Sequence, residues 1–249
     1  MDSYRFLAKY YDTFTQDVPY DAWVDFLEQI FQREKVSPHL ILDLACGTGS
    51  LIERMTARGY EMIGVDGSEE MLMMAQEKEY LGIAPMFLHQ SMEELDLFGT
   101  IDACVCCLDS INYVTEKEML RRIFDRVEMF LEPYGLFVFD VNTPYKFHQM
   151  DERSYVREDA DIFCVWQAEV EENLCTYYFD LFEADEEEDV WYRQQEEHQE
   201  RLYEPEELKK LLEEVGFHDI RIYPELSLGE VTGQENRLFF TARKGEYGR

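Results

Sequence analysis

Two carboxylates and a pair of glycines are the part of this 249-residue chain best equipped for chemistry. The run Leu42-Asp43-Leu44-Ala45-Cys46-Gly47-Thr48-Gly49-Ser50 sets an acidic side chain just before a turn whose glycines let the backbone come close to a ligand. Spacing excludes two common phosphate loops. A GxGxxG fingerprint starting at Gly47 needs a glycine where Ile52 stands, and the Gly-Lys-Ser/Thr tail of a P-loop is missing. What remains places Asp43 to accept hydrogen bonds from a ligand ammonium, which suits an amino-acid-bearing nucleoside better than a pyrophosphate. A second carboxylate comes 23 residues later, in Gly64-Val65-Asp66-Gly67-Ser68, and its position suits bidentate binding of two ribose hydroxyls.

Both side chains act together only if they end adjacent parallel strands. Short apolar runs alternate with amphipathic stretches as such a sheet requires: strands at His39–Leu44, Glu61–Val65, Pro85–His89, Ile101–Leu108 and Leu136–Val141. Between them, helices are expected over Ser50–Arg58, from a Ser68 cap to about Leu81, and over Glu116–Leu131. The fold class is therefore α/β, a doubly wound Rossmann-like sheet. After Pro144 the pattern becomes an antiparallel meander, with aromatic or β-branched runs at Ile162–Val170, Leu174–Phe182 and Val190–Tyr203, and Glu186–Glu188 as a hairpin turn. A helix with proline in its first turn, Pro205–Val215, and strands at Ile220–Tyr223 and Arg237–Arg243 complete the chain. The expected organisation is an N-terminal helical cover (1–37), an α/β domain (38–143 and 204–249) and an inserted antiparallel β subdomain (144–203).

Charge narrows the partners. With 23 Lys+Arg against 54 Asp+Glu the net charge is −31, which repels phosphate backbones and makes nucleic acid an unlikely ligand. Hydrophobic residues at 46% and aromatics at 14% set the chain apart from disordered acidic sequences. Residues 151–207, most of them in the insertion, hold 21 acidic and 4 basic side chains, a net of −17, and neutral or cationic ligands are favoured there. Of six cysteines, Cys104 and Cys107 stand at CxxC spacing, but within the buried strand Ile101–Leu108 and with no histidine at zinc spacing, so no metal is expected and free thiols in a reducing compartment are. No leader pattern or membrane-length apolar run is present, and the expected location is the cytoplasm, with no membrane contact.

Taken together, Asp43–Gly49, Asp66, Cys107–Tyr113 and Leu131-Glu132-Pro133-Tyr134-Gly135-Leu136 resemble the motifs of the class I S-adenosylmethionine-dependent methyltransferases. Tyr10-Tyr11-Asp12 and Tyr20-Asp21-Ala22-Trp23, with an insertion after the fifth strand, resemble the small-molecule members related to sugar and glycine N-methyltransferases. The resemblance implies a seven-stranded sheet whose last strand is inserted antiparallel. It also implies S-adenosyl-L-methionine as cofactor, held by Tyr11, Asp43, Ala45, Cys46, Gly47, Gly49, Asp66, Gly67, Met71, Ser91, Met92 and Leu108. Ser91 stands where the family often has an aspartate for the adenine amino group.

An oxygen or ammonium acceptor also needs a base within reach. Asp140, Tyr113 and His148 are the candidates for catalysis, and Asp109, Asn142 and Tyr145 for binding the acceptor. The expected activity is methyl transfer to nitrogen or oxygen of a small, neutral or cationic acceptor. The competing expectation is a non-catalytic cofactor-binding or protein-docking module, and a homodimer through the inserted sheet is a further one.

Overall fold

The computed structural model describes residues 6–159, 161–185 and 190–246; the hairpin turn expected at Glu186–Glu188 lies outside them. Helices α1 (Tyr11–Phe14) and α2 (Tyr20–Glu34) lead into β1 (Leu40–Leu44), α3 (Ser50–Ala57), β2 (Glu61–Asp66), α4 (Glu69–Glu77), β3 (Met86–His89), β4 (Ile101–Cys106), α5 (Lys117–Phe130) and β5 (Leu131–Asn142). Helix α6 (Pro144–Met150) then opens the antiparallel sheet of β6 (Ser154–Asp159), β7 (Ile162–Glu171), β8 (Leu174–Ala184) and β9 (Trp191–Arg201). Helix α7 (Pro205–Val215), β10 (His218–Pro224) and β11 (Arg237–Arg243) return the chain to the first sheet.

The first sheet has seven strands in the order β10-β11-β5-β4-β1-β2-β3, with β11 antiparallel to both neighbours and the central strands parallel. Alternation along β5 feeds both faces. Phe137, Phe139 and Val141 pack on one side with α5 and α7, whereas Leu136 and Val138 pack on the other with α2 and α3. Helix α5 presents Leu120, Ile123, Phe124 and Val127 as one buried stripe, and the Phe124 ring lies 5.8 and 5.5 Å from Phe137 and Phe139. On the opposite face Trp23 and Phe26 of α2 clasp Phe239 at 5.0 and 4.9 Å. Each such ring, once buried, contributes roughly 1.5–3 kcal/mol.

Four local features differ from the sequence expectation. Helix α4 stops at Glu77, because Lys78 turns extended and its ammonium goes to Ser50 and Asp12. Strand β4 stops at Cys106, because Leu108 and Asp109 both take left-handed torsions (φ 60° and 56°). Residues 144–150 form a helix where the sequence reading places the start of the meander, with Thr143 accepting from the Lys146 amide at 3.2 Å and Pro144 in the first turn. Strand β6 pairs with β7 along the edge of the second sheet.

Candidate active site

Parallel strands deliver their carboxyl ends, and the loops that follow, to one cleft of about 480 Å³. Its lining includes Ala45, Gly47, Asp66, Gly67, Met71, Ser91, Met92, Leu108 and Tyr113 from the sheet side, and Tyr11 from the N-terminal segment. A narrow extension of about 40 Å³ runs past Asp43 and Cys46. The volume falls within the range of small-molecule sites.

The turn after β1 is built on torsion. Ala45, Gly47 and Gly49 all have positive φ, and a Cβ on Gly47 would meet nothing within 4 Å. Gly49, expected to contact the cofactor, is a different case and is not among the residues lining either cavity. A Cβ there would come within 2.7 Å of the Tyr80 hydroxyl and 3.2 Å of the Ala75 Cβ, so the loop packs against α4 only because position 49 has no side chain. Asp66 ties the turn down from β2, its Oδ2 accepting from the Gly47 amide and its Oδ1 from the Ser68 amide, both at 2.8 Å. Burial pushes the Asp66 carboxyl up against the pull of those amides. In Asp43, burial first and the Asp66 charge second push the carboxyl up to about 8. A buried acid in that state is complementary to a ligand cation, whose arrival restores the carboxylate. The Cys46 thiol beside it is driven well up by burial and then by Asp43 and Asp66, so it stays protonated and unreactive.

The N-terminal segment bridges the two sheets. Asp12 accepts from the hydroxyls of Thr48 (2.5 Å) and Ser50 (3.1 Å) and pairs with Lys78 at 2.7 Å. Leu7, Tyr10 and Phe14 pack on Ile162, Cys164 and Leu181 of the inserted sheet. Glu196 of β9 accepts from the amides of Phe6 and Leu7, the second at 3.1 Å. The other Glu196 oxygen lies 2.9 Å from His198 Nε2, and His198 Nδ1 lies 3.3 Å from the Tyr113 hydroxyl. A strand of the insertion thereby touches a residue of the cleft.

The sequence pattern singled out Asp43 and Asp66, and with them come two relationships. The profile of the methyltransferase domain family matches residues 41–135, the segment that carries both carboxylates and the glycine turn. Along the whole chain, the Bacillus subtilis (strain 168) protein named "Putative methyltransferase YqeM" is 33% identical over 245 residues, covering 98% of each sequence. The chain belongs to the S-adenosylmethionine-dependent methyltransferases. The structure of an S-adenosylmethionine-dependent methyltransferase from Clostridium acetobutylicum ATCC 824 superimposes with a TM-score of 0.84 at 29% identity, covering 97% of this chain and 98% of that one. The sugar N-methyltransferase KedS8 from Streptoalloteichus sp ATCC 53650 shares the fold, with a TM-score of 0.80 at 20% identity over 95% and 93% of the two chains.

S-adenosylmethionine is thus the cofactor of this methyltransferase, and the donor set fits it. Asp43 suits its ammonium, Asp66 its ribose hydroxyls, and the open turn at Gly47 leaves room for it where a side chain would stand. The enzyme classification removes the non-catalytic module from consideration.

The residues expected around the acceptor are a different matter. Asp140 is fully buried and does not face the cleft. Its two oxygens accept from the Leu108 (2.7 Å) and Asp109 (2.9 Å) amides, the pair of left-handed residues, and Arg237 closes on it from β11. Backbone amides in that conformation make a concave anion site, so Asp140 shapes the turn that follows β4. Burial pushes Asp140 up to about 6 despite Arg237; Asp109, paired with Arg237 at 2.6 Å, is held below its usual range by that guanidinium and then Lys146 against the cost of burial. Asn142 is buried too, its amide donating to Asn112 Oδ1 and its side chain meeting Glu200 and Lys146. Tyr145 and His148 lie on the exposed side of α6 and line neither cavity. Of the six, only Tyr113 reaches the cleft.

His198, Glu196, Glu200 and Arg237 escape a sequence reading. Arg193–Arg201 is polar at every position, so alternation does not tell which side chains face inward, although Glu196, His198 and Glu200 all do.

Proposed function

We propose that this methyltransferase acts on the nitrogen of a small, amine-bearing acceptor. The observation that carries the proposal is the charge of the cleft wall: Glu69, Glu70 and Glu93 join Asp66 in the lining, and no lysine or arginine is found among the described lining residues. Such a wall attracts a cation and repels a phosphorylated or carboxylated acceptor. The shared fold of a sugar N-methyltransferase supports the choice of nitrogen, and an amino sugar is an acceptor of the right size and charge. Six buried free cysteines suit a reducing, cytoplasmic setting.

The cofactor supplies an electrophilic methyl group on sulfonium sulfur. The chain's task is then binding and alignment: Asp43, Asp66 and the Gly47 turn fix the cofactor, Ser91 and Met92 flank it beyond Asp66, and Tyr11 closes it from above. Holding an amine lone pair in line with the methyl group accounts for roughly 7–11 kcal/mol of barrier in well-oriented reactions.

A test is S-adenosylhomocysteine formation with 3-amino-3-deoxyglucose, kanamycin and, for comparison, catechol and 6-phosphoglucosamine. Turnover is expected with the two cationic amines, and less or none with the phosphate ester. Turnover confined to catechol would overturn the nitrogen assignment, and preference for the phosphorylated amine would overturn the charge argument.

A further inference from the structure

Deepening that function, and resting on it, we propose that Glu196, His198 and Tyr113 form a proton relay that deprotonates the acceptor amine. The three belong to separate parts of the fold: Tyr113 to the turn after β4, His198 and Glu196 to β9 of the inserted sheet. His198 is 1% exposed and Glu196 has 6% of its side chain exposed, so water does not set their protonation geometry.

The direction of the relay rests on the contacts of Glu196 with the backbone and the ring. Glu196 Oε1 is engaged by the Phe6 and Leu7 amides, which leaves Oε2 to accept from His198 Nε2. With the proton on Nε2, Nδ1 carries a lone pair, and the Tyr113 hydroxyl 3.3 Å away donates to it. Around the imidazole, Phe179 of β8 packs at 5.0 Å between ring centres, Tyr177 stands opposite in register, and Glu200 lies two residues on along the same face. Burial works against the Glu196 charge, yet the hydrogen bond from His198 and the two amides hold its carboxyl below the usual range, so it remains the anion that steadies an imidazolium.

In the proposed step an ammonium acceptor passes one proton to Tyr113 Oη as the phenol proton moves to His198 Nδ1. The freed nitrogen pair forms the new carbon–nitrogen bond while the methyl–sulfur bond breaks with its electrons on sulfur. The imidazolium, facing Glu196, later returns the proton from Nδ1 to Tyr113 Oη as the tyrosine hydroxyl gives its own to water in the cleft. Tyr113 touches the acceptor and is a catalytic residue; His198 and Glu196 act through it and are positioning residues.

The first readout needs no acceptor. In the complex with S-adenosylhomocysteine, ¹⁵N spectra of the histidine-labelled protein, with His198 assigned by His198→Gln, should show Nε2 protonated and Nδ1 bare at pH 8. Glu196→Gln should move the proton to Nδ1, because the Phe6 and Leu7 amides claim the substituted side chain's oxygen and turn its NH₂ toward the ring. A proton on Nδ1 in the parent protein, or an unchanged tautomer in Glu196→Gln, would overturn the relay. The second readout is the pH profile on whichever amine turns over. His198→Gln should lose about 100-fold in kcat/KM near pH 7, a typical general-base contribution, with the deficit shrinking as pH passes the amine's own pKa. Tyr113→Phe should show the same pH-dependent deficit. Calorimetry with S-adenosylhomocysteine, unchanged within about twofold for His198→Gln, checks the fold. A deficit equal at every pH would mark a structural role and sink the proposal. Absence of turnover on every amine would instead sink the nitrogen assignment, and the tautomer result alone would then decide the relay.

Discussion

Asp43 faces a conflict that the family's chemistry resolves. Its carboxyl, pushed up to about 8 by burial and by Asp66, is neutral in the ligand-free protein at pH 7 and must ionise to meet an ammonium. Binding of S-adenosylmethionine at pH 7 should therefore release close to one proton, measurable by calorimetry in buffers of different ionisation enthalpy. Stability tied to Asp43 is fully present below about pH 4 and is lost as pH rises toward 8, by an amount on the order of a few kcal/mol. Asp43→Asn should raise the melting temperature of the ligand-free protein at pH 9, leave it nearly unchanged at pH 4, and weaken cofactor binding at least tenfold. A variant that is less stable at pH 9 would contradict this account. That Asp43, Asp66 and Gly47 meet at the cleft is legible in the sequence because each is tied to a strand end by a short, local pattern. Asp140 occupies an equivalent strand end and misleads, because its partner Arg237 lies 97 residues away and on another strand, where no spacing announces it.

At the scale of elements, the turn inside β5 shows how two adjacent residues divide one requirement. Tyr134 holds the left-handed torsion (φ 66°) and stands half in solvent. Gly135 holds the tight place: a Cβ there would meet the backbone oxygens of Glu132 at 2.8 Å and Asp102 at 3.0 Å. Gly135→Ala should then destabilise by about 1–3 kcal/mol, whereas Tyr134→Gly should be neutral or mildly stabilising, since relief of the left-handed torsion slightly exceeds glycine's added unfolded-state freedom. Urea unfolding of both variants checks the division, and the reverse order of costs would refute it. The long, periodic elements, α5, α7 and the central strands, could be read directly because burial on one stripe or both faces dictates their composition. Helix α6 and strand β6 could not. Both are short, and what fixes them is tertiary: Phe147 of α6 buried against Ala168 and Tyr177, and Tyr155 stacked on Trp166 at 5.2 Å.

For the whole molecule, the −31 charge is a standing cost to compactness. Raising NaCl from 10 to 300 mM shortens the screening length from roughly 30 Å to below 8 Å, and the melting temperature should climb by several degrees. A fall would mean that ion pairs such as Arg58 with Asp25 and Glu28 outweigh the repulsion. Any self-association through the outer face of the inserted sheet, where Val156 and Tyr178 are exposed, must overcome the same repulsion and should be stronger at high salt by light scattering.

Glu196 holds the backbone of Phe6 and Leu7 with one oxygen and the imidazole of His198 with the other. The carboxylate is thereby an interlock. The proposed relay and the docking of Phe6 and Leu7 therefore share a single carboxylate, and a change that frees either contact is expected to be felt by the other.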